Sequence, residues 1–265
     1  MNILVCVKPV PDPDKYELLR IDPATKRLVR EGIPTIVNPA DRSALEAALR
    51  LRALLGGKVT VLSMAPEFSR DRVMECLAMG ADEAYMVSDR AYGGADTLAT
   101  SYTLMGAVAR LGEKPDLILA GNESADGATA HVPVQLAEWL GLPHLTNVYD
   151  IEGLEDRVFA WKKTGKGAVR YEVALPALLS VNREAYQPRL ITAMGVVKAR
   201  SKKIETLTQE DLRLDPGMIG EAGSPTKAGE LIVPDLGRAS TELTGGTGEI
   251  ADKIIALIGK VYSNV

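Results

Sequence analysis

The sequence predicts an α/β protein: a parallel-sheet, Rossmann-like nucleotide-binding domain with a β-rich segment and a C-terminal extended arm ending in a helix. Three observations carry this reading. Short apolar runs recur at residues 3–7, 59–64, 83–87 and 116–120, with helical patterns between the later ones. Strands that alternate with helices form a parallel sheet covered on both faces, and burial on both faces demands apolar side chains throughout. Residues 146–181 then turn to a strand pattern, and 215–248 are rich in glycine, proline and hydroxyl side chains, with too little apolar material for a core.

The elements follow in order. ILVCV opens the chain as a buried strand. Asn38-Pro39-Ala40-Asp41 is a helix start, with Asn as N-cap, Pro at N1 and an acid in the first turn. It leads into SALEAALRLRALL, where Leu45, Ala48, Leu51 and Leu55 share a face before Gly56-Gly57. A second helix over 71–79 stops at Gly80. A third follows Gly94, with apolar positions at Ala95, Leu98, Ala99, Tyr102, Met105 and Ala109, and a fourth runs over 130–140. Residues 183–203 read as a polar loop ending in the basic run Lys198-Ala199-Arg200-Ser201-Lys202-Lys203. The last stretch, EIADKIIALIGKVYS, is an amphipathic helix with Ile250, Ile254, Leu257, Ile258 and Val261 on one face. An arm carrying such a helix needs a surface to dock on, either its own domain or a partner subunit, and the partner subunit is the expected one. The division expected is 1–214 for the α/β domain and 215–265 for the arm.

Bulk properties exclude several classes. The chain has 265 residues, 46% of them hydrophobic and 25% charged, as in an ordinary soluble protein. Its formal charge of −4 gives no support to nucleic-acid binding. No apolar run approaches the roughly 20 residues of a membrane span, and Met1 leads into a strand rather than a secretory pattern. Two cysteines cannot build a disulfide framework, and with two histidines they leave little for a zinc site. The expected location is the cytoplasm. Cys6 lies in ILVCV and reads as a packed core thiol. The sequence lacks GxSxG, GxxxxGK[ST], HExxH and a GxGxxG after the first strand.

Ligands of open α/β sheets sit beyond the carboxyl ends of the strands. The loops there are 8–12, 38–41, 64–67, 88–97 and 121–129. Within DRAYGGADTLATS (89–101), the turn before the third helix reads either as punctuation with a cap or as a phosphate seat, since a helix start offers free N–H groups and partial positive charge. The loop after DLILA carries Gly121, Asn122, Glu123, Ser124, Asp126 and Gly127. It reads either as a solvated turn with Asp126 as a cap or as one wall of a nucleotide pocket.

Taken together, these residues resemble the β subunit of electron-transferring flavoproteins. The matches are ILVCVKPVPD, LVREG and NPAD, CLAMGADEA, the glycine loop with ADG after DLILAG, and SPTK, in family order from Met1 to about Thr226. The resemblance implies pairing with an α subunit that carries its own flavin. Members that pass electrons from acyl-CoA dehydrogenases to a membrane quinone reductase keep AMP in this subunit as a structural element. Members that bifurcate electrons from NADH hold a second FAD here, and DRAYGGADTLATS is similar to their sequence. On that likeness the turn is expected to cradle the FAD diphosphate. NADH would be the donor, and the partners an acyl-CoA dehydrogenase or related flavoenzyme and a ferredoxin or flavodoxin.

The resemblance places Cys6, Asn38, Asp41, Met64, Gly121, Asn122, Glu123, Ser124, Asp126, Gly127, Thr129 and His131 around the adenosine. Lys8, Pro9, Val10, Gly94, Ala95, Asp96, Thr97 and Thr100 would surround the diphosphate and flavin. Asp96 is awkward beside a diphosphate and reads as a cap or a ribityl or flavin contact. The chain departs from the family pattern at Gly121-Asn122-Glu123, where Gly-Arg/Lys-Gln is usual, at Ala128 and at His131. In the recognition loop Ala193-Met194 replaces Leu-Pro. No catalytic base or nucleophile is required of such a subunit. A structural AMP carrier is the alternative, and a self-contained small-ligand sensor is disfavoured by the arm.

Overall fold

The computed structural model describes residues 1–18, 20–21, 28–29, 33–227, 229 and 240–262. Residues 30–32 of LVREG, 230–239 of the arm and 263–265 lie outside the described residues. The chain forms two units, Met1–Gly229 and Glu230–Val265.

The first unit is built on a nine-stranded sheet. Its strands are β1 (Asn2–Cys6), β2 (Lys58–Met64), β3 (Glu83–Val87), β4 (Leu117–Gly121), β5 (His144–Gly153), β6 (Arg157–Thr164), β7 (Gly167–Ala174), β8 (Ala177–Val181) and β9 (Ile204–Leu207). The spatial order is β7-β6-β5-β8-β4-β1-β2-β3-β9. Every neighbouring pair from β5 to β9 in that order is parallel. β6 and β7 extend the sheet antiparallel beyond β5, so the β-rich segment belongs to the central sheet.

The helices are α1 (Pro39–Leu55), α2 (Arg70–Met79), α3 (Thr97–Val108), α4 (Val132–Leu140), α5 (Ala193–Arg200) and α6 (Gln209–Leu212), with α7 (Thr247–Tyr262) in the second unit. Two cores flank the sheet. Ile3, Val5 and Val7 face Leu45, Ala48 and Leu49 of α1, Val73 and Leu77 of α2 and Ala199 of α5. Leu4 and Cys6 face Leu104 of α3, Leu136 of α4 and Leu212 of α6. This is why β1 is apolar at successive positions rather than alternating.

Two local expectations change. Residues 193–200, read as loop, form α5. Only Ala199 of its eight residues is buried, so it shows no repeating apolar face, and Thr192 caps it, its hydroxyl accepting the Gly195 N–H at 3.0 Å. The ammonium of Lys202 in the basic run donates to the Ala81 carbonyl, so this residue braces the turn after α2. Asn38 precedes α1 as expected, but its side chain does not cap the helix. It donates instead to Glu123 O at 2.9 Å and accepts from Ala125 N at 3.1 Å, joining two loops.

Candidate functional site

The chain changes direction across the sheet at β1, with β2, β3 and β9 on one side and β4, β8 and β5 on the other. Open α/β sheets hold ligands outside the carboxyl ends of their strands at such a switch point. A cavity of about 530 Å³ lies there, within the roughly 300–1,000 Å³ of cofactor sites. Its floor comes from the strand ends: Cys6 and Val7, Leu62 and Met64, Val87, and Ala120 with Gly121.

One wall is organised by Asp41. From the first turn of α1 its carboxylate accepts the Lys8 N–H at 2.7 Å and the Gly121 N–H at 2.9 Å, tying the ends of β1 and β4 together. Burial pushes its pKa from the ordinary 3.8 up to about 7, against the N–H donors that favour the ion. Burial, then the Asp41 charge, raises the Cys6 thiol to about 12, so Cys6 lines the floor as an unreactive packed group. Gly121 is required by close approach: a Cβ there would lie 2.3 Å from the Asp41 Oδ1. The loop beyond it is held from below by Asn38, and Lys8 reaches across to the Asp126 carboxylate at 2.7 Å. Ala128 and Ala130 take φ of +47° and +56°, a conformation that non-glycine residues adopt rarely and at a cost of about 1–3 kcal/mol.

The opposite wall is the turn that follows β3. Asp89 accepts from Ala91 N and Gln209 N, and Tyr92 donates its hydroxyl to Gln209 Oε1 at 3.1 Å. Gly94 turns the chain with φ +74°, which favours glycine. Asp96 then caps α3: its Oδ1 accepts the Leu98 and Ala99 N–H groups at 2.9 and 3.0 Å, and its Oδ2 accepts the Thr226 N–H at 2.9 Å. Burial alone would raise this carboxyl, but the Ala99, Thr226 and Leu98 donors outweigh it and hold the pKa below the usual range. Asp96 is therefore the cap that the sequence allowed. The Thr97 and Thr100 side chains complete this wall.

Of the residues expected at the site, Cys6, Lys8, Asn38, Asp41, Met64, Gly94, Ala95, Asp96, Thr97, Thr100, Gly121, Glu123, Ser124, Gly127, Thr129 and His131 line the cavity. The others do not reach it. Pro9 and Val10 lie in a short ladder, Pro9–Pro11 against Thr35–Val37, where Val10 is fully buried. The Asn122 N–H is held by the Val181 carbonyl. Asp126 acts through Lys8 and does not cap α4, whose N-cap is His131. Sequence reasoning missed Asp89 and Tyr92, although both lie within DRAYGGADTLATS. It also missed the apolar floor and side of Leu62, Val87 and Leu104, which pattern alone assigns to the core.

Fold and cavity define a Rossmann-like α/β protein with a cavity at the sheet's switch point. Among known proteins, the electron transfer flavoprotein domain matches residues 25–212. The chain is 41% identical over 256 residues to the electron transfer flavoprotein subunit beta of Thermoanaerobacterium thermosaccharolyticum, covering 96% of both chains. It is 40% identical to the caffeyl-CoA reductase-Etf complex subunit CarD of Acetobacterium woodii, covering 97% of both, and 35% identical to protein FixA of Azorhizobium caulinodans, covering 98% of this chain and 94% of that one. The chain belongs to the electron transfer flavoprotein family, among its β subunits. No helix among the described residues is long and apolar enough to cross a membrane.

Proposed function

We propose that this chain pairs with an electron transfer flavoprotein α subunit and holds FAD in the switch-point cavity. There it would receive reducing equivalents from NADH and divide them between the α-subunit flavin and a ferredoxin or flavodoxin. The observation that carries this reading is the second wall. The cavity is lined on the Asn38 and Gly121 side and continues along Tyr92, Gly94, Thr97, Thr100 and Leu104, beyond the wall that the resemblance assigns to the adenosine. FAD, when bound, supplies the two-electron and one-electron chemistry that side chains lack. The chain's own residues bind and orient. Asp41 and Asn38 fix the loops of one wall, the hydroxyls of Thr97, Thr100, Ser124 and Thr129 with Lys8 offer donors to an anionic group, and Leu62, Val87, Leu104 and Val132 exclude water. The name of the Acetobacterium relative, which joins an Etf subunit to a caffeyl-CoA reductase, supports an acyl-CoA dehydrogenase or related flavoenzyme as the downstream partner. The segment expected to recognise it carries Leu190, Met194 and Val197, all exposed.

One observation favours the alternative, an AMP-holding carrier subunit. Asp96 already takes two N–H groups of the first turn of α3, leaving this helix start less to offer a diphosphate. Extraction and counting of the nucleotides in the co-expressed heterodimer separate the two. The expected result is two FAD and no AMP, with rapid reduction by NADH; one FAD with one AMP overturns the bifurcation reading.

A further inference from the structure

The wall formed by residues 89–96 does not stand alone. A segment more than a hundred residues later in the chain is bonded along its back. Glu221 N–H donates to Gly93 O at 3.0 Å, and Asp96 N–H donates to the Ser224 hydroxyl at 2.8 Å. That hydroxyl donates in turn to Gly220 O at 2.6 Å, and Thr226 N–H reaches the Asp96 carboxylate. Ser224 and Ile219 are buried, Ile219 against the same core as Tyr92 and Leu104. Further back, Gln209 holds Asp89 and Tyr92 and donates its amide to Leu214 O at 2.7 Å. Residues 219–226 are thus the outer layer of the cavity wall, and the chain runs on from them into the second unit, which begins at Glu230.

Asp96 is where the layers meet. One carboxylate oxygen fixes the start of α3, beside Thr97 and Thr100 in the cavity. The other fixes Thr226. A shift of the turn on one side must lengthen bonds on the other, because a single rigid group accepts all three. Two sites that share a bistable or deformable element are coupled, and the coupling is reciprocal in binding free energy.

We propose that Asp96 and Ser224 couple the loading of the cavity to the anchoring of the segment at 219–226, so that a bound nucleotide tightens the base of the C-terminal arm and the anchored base tightens nucleotide binding. This rests on the nucleotide reading above. Neither Ser224 nor Thr226 lines the cavity, so they act on the nucleotide only as positioning residues.

The test uses the heterodimer, stripped of nucleotide and reloaded with AMP or with FAD as separate probes. Amide hydrogen exchange at Glu221 and Thr226 should slow about tenfold on loading, a coupling typical of linked sites. Ser224→Ala should weaken retention of the same probe about tenfold, although no atom of Ser224 reaches it, and Ser224→Thr should restore part of the loss. Exchange at both amides that is the same loaded and stripped overturns the coupling and leaves nucleotide binding standing. So does a folded Ser224→Ala variant with unchanged affinity. If neither AMP nor FAD binds the unaltered heterodimer, the nucleotide reading falls and the coupling falls with it. The exchange measurement on the unaltered protein decides the matter even if the variant does not fold.

Discussion

Asp41 shows how one side chain can set the shape of a site. Both of its oxygens accept backbone N–H groups from different strand ends, and burial raises its pKa to about 7. Asp41→Asn replaces one acceptor with a donor that must face either the Lys8 or the Gly121 N–H. Leaving one such buried donor unsatisfied costs about 1–3 kcal/mol. Denaturant unfolding should show that loss, and nucleotide retention should fall with it. The pH dependence has a definite sign. Because the folded pKa lies above the unfolded 3.8, the folded state binds the extra proton between about pH 4 and pH 7. The stability that Asp41 contributes therefore falls as pH rises through that window and is level above it. The stability difference between the natural protein and Asp41→Asn should shrink from pH 4 to pH 7; parallel curves would exclude this assignment. The residue scale was also where the sequence was most legible. Asp41, Gly94, Thr97 and Gly121 stood out because helix starts and glycine turns at strand ends carry local signals. Tyr92 and Asp89 did not, because their roles come from Gln209, a contact that no local pattern encodes.

Among the elements, α1 links the site to a distant surface. Its first turn carries Asp41, and further along it Ser43 and Glu46 hold the segment after β8. The Ser43 hydroxyl donates to Asn182 O and accepts the Tyr186 N–H, and the buried Glu46 carboxylate accepts the backbone N–H and guanidinium of Arg189 together with Arg50. Burial would raise the Glu46 carboxyl, but the Arg189 and Arg50 guanidiniums more than reverse it and hold it below the ordinary range. Leu190, 86% exposed, follows directly on this clamp. A segment without a helix or strand of its own is thereby tied to α1. Glu46→Ala should cost about 1.5–3 kcal/mol, the range for hydrogen bonds to charged groups. It should also speed amide exchange at Arg189 and in 183–192 while leaving nucleotide content unchanged. Exchange confined to its natural rate would show that the clamp does not order the segment. The helix itself was readable from its cap sequence and its Leu45, Ala48 and Leu51 face. The clamp was not, since Glu46 and Arg50 look like a solvated pair until Arg189 is brought beside them. A related limit explains α5: of its eight residues only Ala199 is buried, so the helix has no apolar face for a periodic pattern to show.

On the scale of the whole molecule, the composition of the sequence changes near residue 215, while the structure groups residues through Gly229 with the first unit. Composition explains the offset. Residues 215–229 hold few apolar side chains, but the described ones need few, because backbone and hydroxyl bonds to 93–96 and the buried Ile219 fasten them. Hydropathy reads cores and does not see such stitching. The second unit is different in kind. On α7, Ile254, Ile255, Leu257 and Ile258 are all exposed, between 43% and 67%. Monomeric proteins seldom leave a contiguous apolar face in water, and one on a terminal helix fits a partner subunit. Ending the chain after Gly229 should therefore leave the α/β unit intact, with the SPTK stitching retained and cooperative thermal unfolding preserved. The shortened chain should no longer co-purify with the α subunit. Ile254→Glu with Ile258→Glu, in the full-length chain, should weaken association without changing the melting of the first unit. That pair separates the helix face from the mere length of the arm. Undiminished co-purification of the chain ending at Gly229 would place the subunit interface on the α/β unit and leave α7 without a partner.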